Sequence, residues 1–291
     1  MTQSEAFLYS EPKRLPPLNL ILFLVFGLLF TALVSFLYGV FIGVSPLVYL
    51  NVFVTVIFGL TLAYGIKIMA KLFKVFKKKV VITSALVFGF LGVYLSWVAY
   101  LLFMVDLSTC AHHYFLEPYL TVQPQVVFEI MADINRYGLW TIGQMPVNGW
   151  LLASIWIIEA AIVIVVPYLI LRSASFSPFS EQLNQWYVKF VLNKDFESIV
   201  MQSQMTEDLK QNPLRTIDNL NNGLANRYSR ISVFFLSDED QQYLLVENVS
   251  SDRSGNNKKS YSVAEHFAIS STVAQALIEK YHAQKAFYLE Y

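Results

Sequence analysis

The chain has 291 residues, of which 55% are hydrophobic and only 14% are charged, and its formal net charge is zero. A typical soluble domain carries about 25% charged residues, so this composition excludes an ordinary soluble protein, and the balanced charge gives no sign of a nucleic-acid partner. The single cysteine, Cys110, excludes an internal disulfide and a cysteine-rich metal site.

Four long apolar segments lie in the first part of the chain. They cover 17–43, 47–66, 80–105 and 150–171. Each is long enough to cross about 30 Å of hydrocarbon, for which roughly 20 residues suffice, and lipid forces the backbone of such a segment to be helical. The sequence therefore predicts a four-helix transmembrane domain over 17–172. A cytosolic segment, 1–16, precedes it, and residues 107–149 form an extracytoplasmic segment.

Lysines cluster between the second and third apolar segments. They are Lys67, Lys71, Lys74, Lys77, Lys78 and Lys79. Positive residues stay on the cytoplasmic side, so both termini are expected in the cytoplasm, with a bacterial inner (plasma) membrane as the favoured location. Lysines at 67, 71, 74 and 78 follow helical spacing, which predicts that the second helix continues past the bilayer. This basic surface is interpreted as a topology signal; the alternative is binding of anionic lipid headgroups.

Small residues recur at every fourth position of the first apolar segment. The stripe consists of Gly27, Thr31, Ser35, Gly39 and Gly43. This spacing places them on one ridge of a helix, and small residues let two membrane helices approach closely. We expect a tight helix contact within the chain. The alternative is a contact with a second copy in a homo-oligomer.

Glu159 is the one charged residue within the four apolar segments. It lies about 14 Å along the last segment, near the bilayer midplane, where an ionisable group is a functional-site hypothesis by default. Its predicted partners at similar depth are Thr31, Ser35, Thr55 and Ser96. We expect Glu159 to be buried against the first three helices and uncharged, since ionisation would leave an unpaired charge. A structural hydrogen bond is the favoured role, and proton or ion carriage is the alternative.

The extracytoplasmic segment contains one amphipathic stretch, 125–137. Its apolar side chains have helical spacing and are Val127, Ile130, Met131 and Ile134. The pattern predicts a short helix on the outer membrane surface. Cys110, His112 and His113 are not expected to bind a metal, because adjacent histidines on a helix point in different directions.

A domain with mixed secondary structure is predicted over 180–291. Strands are expected at 186–192, 231–236, 243–249 and 286–290. Helices are expected at 195–209, from Asn212–Pro213 onward, and at 263–282. This order is typical of a ferredoxin-like split βαβ sandwich with an added helix, so the fold class is a membrane α-helical domain plus a cytosolic α+β domain.

Known catalytic motifs are missing from the sequence, including phosphate-binding glycine loops and metalloprotease helices. We therefore predict a non-enzymatic membrane anchor, adaptor or sensor whose cytosolic domain engages a protein partner. The lipid bilayer is its other partner, and no cofactor, metal or nucleic acid is expected. The alternative is a small-solute or ion permease, or a channel component, that uses Glu159. A membrane enzyme that uses His112, His113 or Glu117 is the least supported hypothesis.

Overall fold

The computed structural model describes residues 8–45, 48–108, 122–138, 141–142, 145–174, 176–251 and 258–286. These residues fall into two compact units. The helix unit lies within 15–174, and the sheet unit combines 8–14 with 176–251 and 258–286.

The helix unit is built from long apolar helices. Its helices are α1 (Pro17–Val44), α2 (Val48–Leu72), α3 (Lys78–Ser108), α4 (Pro124–Tyr137) and α5 (Gly149–Ser173), and a short hairpin joins β1 (Thr141–Ile142) to β2 (Met145–Pro146). Among the described residues, α1, α2, α3 and α5 are long and apolar enough to cross a membrane. Large apolar side chains such as Leu29, Leu37 and Phe53 point outward. Soluble monomers rarely expose contiguous apolar surfaces of this extent.

The small-residue stripe of α1 lies against α3. Its buried members are Gly27, Thr31, Ser35 and Gly39. A Cβ atom at Gly39 would lie 2.6 Å from the carbonyl oxygen of Ser96 and 2.8 Å from the Cβ of Ala99. At Gly27 its nearest contacts would be atoms of the Phe88 ring, the closest at 2.6 Å. The stripe is therefore occupied within the chain, and its closest backbone approach is at Gly39.

The directions of the helices bring the lysines and both chain connections to one end of the helix unit. The contact of α1 with α3 advances along both helices from Gly27 to Gly43, so these two helices are parallel. The Lys78 Nζ at the start of α3 donates to the carbonyl of Ala174 at the end of α5, at 2.8 Å. The α1 start, the α2–α3 link and the α5 end therefore share what we call the lysine end.

The helix predicted to continue through the lysines ends earlier. α2 stops at Leu72, and Lys74 has a left-handed φ of 55°. The Val75 N–H donates to the Ala70 carbonyl at 2.7 Å, which is the long-range bond of a Schellman helix end. Val75 is fully buried, so the chain turns inward there. The prediction was wrong for Lys74, which lies in the turn, and for Lys78, which starts α3.

The amphipathic helix α4 packs on protein. Its apolar side chains, Val127, Ile130, Met131 and Ile134, join a cluster that contains Val98 and Leu101 of α3. Val127 is 2% exposed. The helix was predicted correctly, but the face expected to lie on the membrane surface is covered by α3.

The sheet unit contains a five-stranded antiparallel sheet. Its elements are β3 (Phe179–Ser180), β4 (Gln185–Trp186), β5 (Val188–Val191), α6 (Gln202–Gln211), α7 (Pro213–Asp218), β6 (Arg227–Phe235), β7 (Gln241–Ser251), β8 (Lys258–Ser270), α8 (Ser271–Lys280) and β9 (Gln284–Lys285). The strand order is β8-β7-β6-β5-β9, and β3 pairs with β4 separately. The predicted hairpin of 231–236 and 243–249 corresponds to β6 and β7.

The ferredoxin-like topology is not observed. A split βαβ unit joins two parallel strands through a helix and places another strand between them. Here α6 and α7 connect β5 to β6, which are adjacent and antiparallel. The sheet is a meander from β5 to β8, and β9 adds to the free edge of β5.

Two predicted helices begin later than expected. The first, predicted from 195, starts at Gln202, because Phe196 forms a bridge to Ser229 of the sheet. The second, predicted over 263–282, is the end of β8 followed by α8. A bulge with a left-handed φ of 52° at His266 interrupts the alternation of β8, so its buried residues imitate helical spacing. The observed strand β9 ends at Lys285, before the predicted strand 286–290 begins; Ala286 lies outside any strand, and residues 287–291 lie outside the described residues.

The two faces of the sheet have different cores. One face packs α6, α7 and α8 around Phe267 and Leu244. The other carries an aromatic cluster, which we define as Tyr9, Tyr187, Phe234, Tyr243 and His266.

The N-terminal segment belongs to the sheet unit, a grouping that the sequence did not predict for 1–16. The Tyr9 N–H donates to the carbonyl of His266 at 3.0 Å, and Leu8 forms a bridge with Phe267. The Tyr9 hydroxyl accepts from the Phe179 N–H at 3.0 Å and donates to the Phe179 carbonyl at 3.3 Å. Burial raises the pKa of Tyr9 to about 12, so the hydroxyl remains protonated near neutral pH.

Gly39→Ala should destabilise the helix unit by about 2 kcal/mol, because the new methyl group meets backbone atoms of α3 that cannot move aside. Leu37→Phe is the control, since the Leu37 side chain points outward from α1. Thermal unfolding of the detergent-purified chain measures both. Equal unfolding temperatures for the two variants would contradict the assignment of Gly39 as the closest approach.

Residues 1–14 should stabilise the sheet unit. A fragment that joins 1–14 to 176–291 through a Gly/Ser linker should unfold at a higher temperature than 176–291 alone, because burying Tyr9 contributes about 2 kcal/mol. Tyr9→Ala should remove the gain, and Ser10→Ala, at an exposed position, should keep it. Scanning calorimetry of the four fragments tests this. A fragment 176–291 as stable as the joined one would contradict the contribution of Tyr9.

Candidate functional site

Glu159 lies inside the helix unit on a face of α5 that packs against other helices. It is half-buried and ten residues after Gly149, about 15 Å along the helix. One turn further, Val163 is buried in a cluster with Phe58 and Leu62 of α2. The carboxyl group interacts electrostatically with the hydroxyl of Tyr38 on α1. The α5 face that carries Val163 therefore packs on α2, and Tyr38 of α1 is close enough to Glu159 for the two groups to interact electrostatically.

Tyr38 connects α1, on which it lies, to α2. Its hydroxyl lies 2.8 Å from the Thr55 Oγ1 of α2, and its ring stacks on Phe58 with centroids 4.7 Å apart. Thr55 uses its one hydroxyl proton to donate to the Asn51 carbonyl at 2.8 Å, so Tyr38 is the donor of the Tyr38–Thr55 bond. We define Tyr38, Asn51, Thr55 and Glu159 as the polar cluster.

The other three predicted partners of Glu159 have different environments. Thr31 donates to the Gly27 carbonyl at 2.8 Å, and Ser96 donates to the Val93 carbonyl at 2.8 Å, so both hydroxyls are satisfied by their own helices. Ser35 is fully buried in the stripe, and its Oγ has no hydrogen-bond partner among the residues that the structure describes. Of the four predicted partners, Thr55 is the one hydrogen-bonded to Tyr38, which interacts electrostatically with Glu159.

Two members of the polar cluster were missed from the sequence. Tyr38 lies three residues after Ser35, and Asn51 lies four residues before Thr55, so helical spacing alone places each beside a predicted site residue. The Asn51 Oδ1 is buried without a partner in the described part of the chain. The buried oxygens at Ser35 and Asn51 show that this region carries more accepting groups than the described helices satisfy.

The lysines gather at the lysine end. Lys67 and Lys71 lie on α2, and Lys77 ends the link before α3. Lys78 caps the end of α5 through its bond to the Ala174 carbonyl, a favourable place for a cation at a helix C-terminus. Lys79, one residue further along α3, is exposed.

One end of the sheet unit displays apolar side chains to solvent. Val200 is 78% exposed, Met201 65% and Leu224 69%. We call these three residues, together with Tyr261, the apolar end. Their exposure contrasts with the closed core on the helix-covered face of the sheet.

A buried asparagine holds the apolar end in place. Asn248, 1% exposed, accepts from the Ile199 N–H at 3.0 Å and donates to the Ile199 carbonyl at 2.7 Å. It also donates to the Tyr261 hydroxyl at 2.9 Å. The Leu224 turn is tied to the same region, since Arg227 donates to Ser198 at 3.3 Å. Val200 therefore projects from a fixed backbone.

Within the described residues, no group of three or more histidine, cysteine, aspartate or glutamate side chains is placed to hold a metal ion. Cys110, His112, His113 and Glu117 lie outside the described residues. Comparisons with family models, curated proteins and solved structures return no match.

Glu159→Gln should leave stability nearly unchanged, because glutamine keeps the shape and the hydrogen-bonding groups of a protonated carboxyl. The described residues show no hydrogen bond to the Glu159 carboxyl group, so Glu159→Leu tests the structural role expected from the sequence: that role predicts a loss of about 1 kcal/mol, the size of a typical interhelical hydrogen bond in a membrane. Ile158→Leu, on the exposed side of α5, is the control. Thermal unfolding in detergent compares the three. A Gln variant as unstable as the Leu variant would mean that the ionised carboxylate is required.

Proposed function

We propose that the chain is a non-enzymatic membrane anchor that presents a partner-binding adaptor or sensor unit. The four long apolar helices hold it in the bilayer, and the sheet unit engages a protein on the cytosolic side. The observation that carries the proposal is the apolar end, an exposed hydrophobic surface on a backbone fixed by Asn248. Exposed apolar patches on an otherwise closed domain mark interaction sites.

The side of the membrane on which the sheet unit is proposed to lie is inferred from the lysine end. Lysines are retained on the cytoplasmic side of a membrane. Because α1 starts and α5 ends at the lysine end, both connections to the sheet unit leave the bundle on that side. The sheet unit is therefore assigned to the cytosol. Short links and a lysine-rich inner loop favour a bacterial inner membrane.

The partner is assigned as a protein segment with apolar side chains. A photo-crosslinking residue at Leu224 in the full-length chain should form an adduct in intact cells. Val200→Asp should lower the adduct yield about tenfold, because a buried unpaired charge costs more than 1 kcal/mol at an apolar contact. Gln275→Asp, on exposed α8, is the matched control and should leave the yield unchanged. Equal yields in both variants would contradict a partner at the apolar end.

A second candidate function is an ion or proton pathway through the polar cluster. The observation that favours it is the electrostatic interaction of Glu159 with Tyr38, which is hydrogen-bonded to Thr55, together with the buried oxygen of Asn51. Flux into proteoliposomes that contain the purified chain tests it. Ion- or proton-driven flux that Glu159→Gln abolishes, in a variant of normal stability, would replace the adaptor proposal by this one.

A further inference from the structure

A groove lies between the first turns of α1 and α3. Its volume is about 390 Å³, and Leu20 and Leu24 of α1 form one side of it. Residues of α3 form the other side, including Lys79, Thr83 and Val87. The groove is at the lysine end of the helix unit and opens outward from the bundle.

The groove exists because the small-residue contact between α1 and α3 stops short of the helix starts. From Gly27 onward the stripe lets the two helices touch. Before Gly27, α1 carries large side chains, and Phe23 packs its ring against Phe88 with centroids 6.1 Å apart. Phe23 is fully buried and Phe88 is 2% exposed, so this aromatic pair closes the inner side of the groove.

The lining changes in polarity along α3. Lys79 is at the helix start, Thr83 lies one turn further, and Val87 lies two turns further. A cation is therefore followed by a hydroxyl and then by apolar surface, which continues on α1 at Leu24. None of the described residues that line the groove is acidic.

We propose that this groove binds one anionic phospholipid from the bilayer. The headgroup phosphate lies at Lys79, the glycerol–ester region lies near Thr83, and an acyl chain lies along Leu24 and Val87. The inference goes beyond the partner-binding function and rests on its membrane location alone. A neutral lipid would fill the apolar part of the groove and leave Lys79 without its counter-charge. The groove therefore selects for a negatively charged headgroup as well as for an acyl chain.

Native mass spectrometry of the full-length chain in detergent, with added phosphatidylglycerol or phosphatidylcholine, tests the proposal. The wild-type chain should retain one phosphatidylglycerol in preference to phosphatidylcholine. Lys79→Gln should lower this preference about fivefold, the factor that one lysine contributes at an anionic surface. Lys74→Gln removes a lysine from the same end outside the groove and should change the preference little.

A second variant blocks the groove without touching the charge. Val87→Trp should abolish retention of both lipids, and added phosphatidylglycerol should then no longer raise the unfolding temperature. Equal effects of Lys79→Gln and Lys74→Gln would show general surface attraction and overturn the site. Unchanged retention in Val87→Trp would do the same. Membrane fractionation of the wild-type chain tests the membrane location separately. A chain that is membrane-bound but shows no lipid preference refutes the lipid site and leaves the proposed membrane anchor standing.

Discussion

The close approach of α1 to α3 is the contact on which the helix unit depends. Between membrane helices apolar side chains gain little by leaving lipid, so packing geometry decides which helices associate. At Gly39 the backbone of α1 lies so near the Ser96 carbonyl that no side chain fits between them. Glycines also lie at the contacts of α5 with α2 and α3. A Cβ at Gly59 of α2 would lie 3.3 Å from the Ile162 carbonyl oxygen, and a Cβ at Gly89 of α3 would lie 3.1 Å from the Ile164 Cα. Glycines on three successive helices thus set the spacing of the bundle, and the groove between α1 and α3 lies before Gly27, where α1 carries large side chains.

The polar cluster illustrates how such a bundle handles polar atoms. Most hydroxyl groups at this depth bond to the carbonyl four residues earlier on their own helix, as Thr31 and Thr55 do, and such bonds need no second helix. Tyr38 is different, because its hydroxyl reaches across to α2 and interacts electrostatically with Glu159 of α5. A structural role requires an uncharged Glu159 that takes part in a hydrogen bond. A transport role requires the same groups to exchange protons or to bind a cation. Chemistry at Glu159, rather than its position, therefore separates the two functions.

Sequence periodicity was informative where one period governed a whole element. The four apolar segments, the stripe on α1 and the β6–β7 hairpin all follow a single regular pattern, and each was located within a few residues. Periodicity was misleading at local irregularities. The bulge at His266 converts strand spacing into apparent helical spacing, and the Schellman turn at Lys74 lies inside a lysine pattern that is typical of a continuous helix.

Contacts between distant parts of the chain left no local signal. Tyr9 pairs with residues about 170 and 257 positions away, and the clamp of Asn248 on Ile199 depends on a strand pairing that no spacing rule specifies. The same limit applies to the site, where Thr55 was predicted but its partner Tyr38 was not.

In the sheet unit, one side chain links the segment before α1 to the segment after α5. Tyr9 precedes α1 by eight residues, Phe179 follows α5 by six, and the Tyr9 hydroxyl bonds both backbone groups of Phe179. The aromatic cluster that holds Tyr9 includes Tyr243, near the start of β7, whereas Asn248, five residues further along the same strand, holds the apolar end. These two positions are about 17 Å apart along a strand. A partner that displaced the Ile199 clamp would act on the strand that carries Tyr243, and the Tyr243 ring packs on the Tyr9 ring with centroids 5.2 Å apart. An adaptor needs only the apolar end. A sensor additionally requires two arrangements of one element that both sites can bias, and among the described residues the Tyr9 segment is the element that touches both the sheet and the chain leading to the first helix.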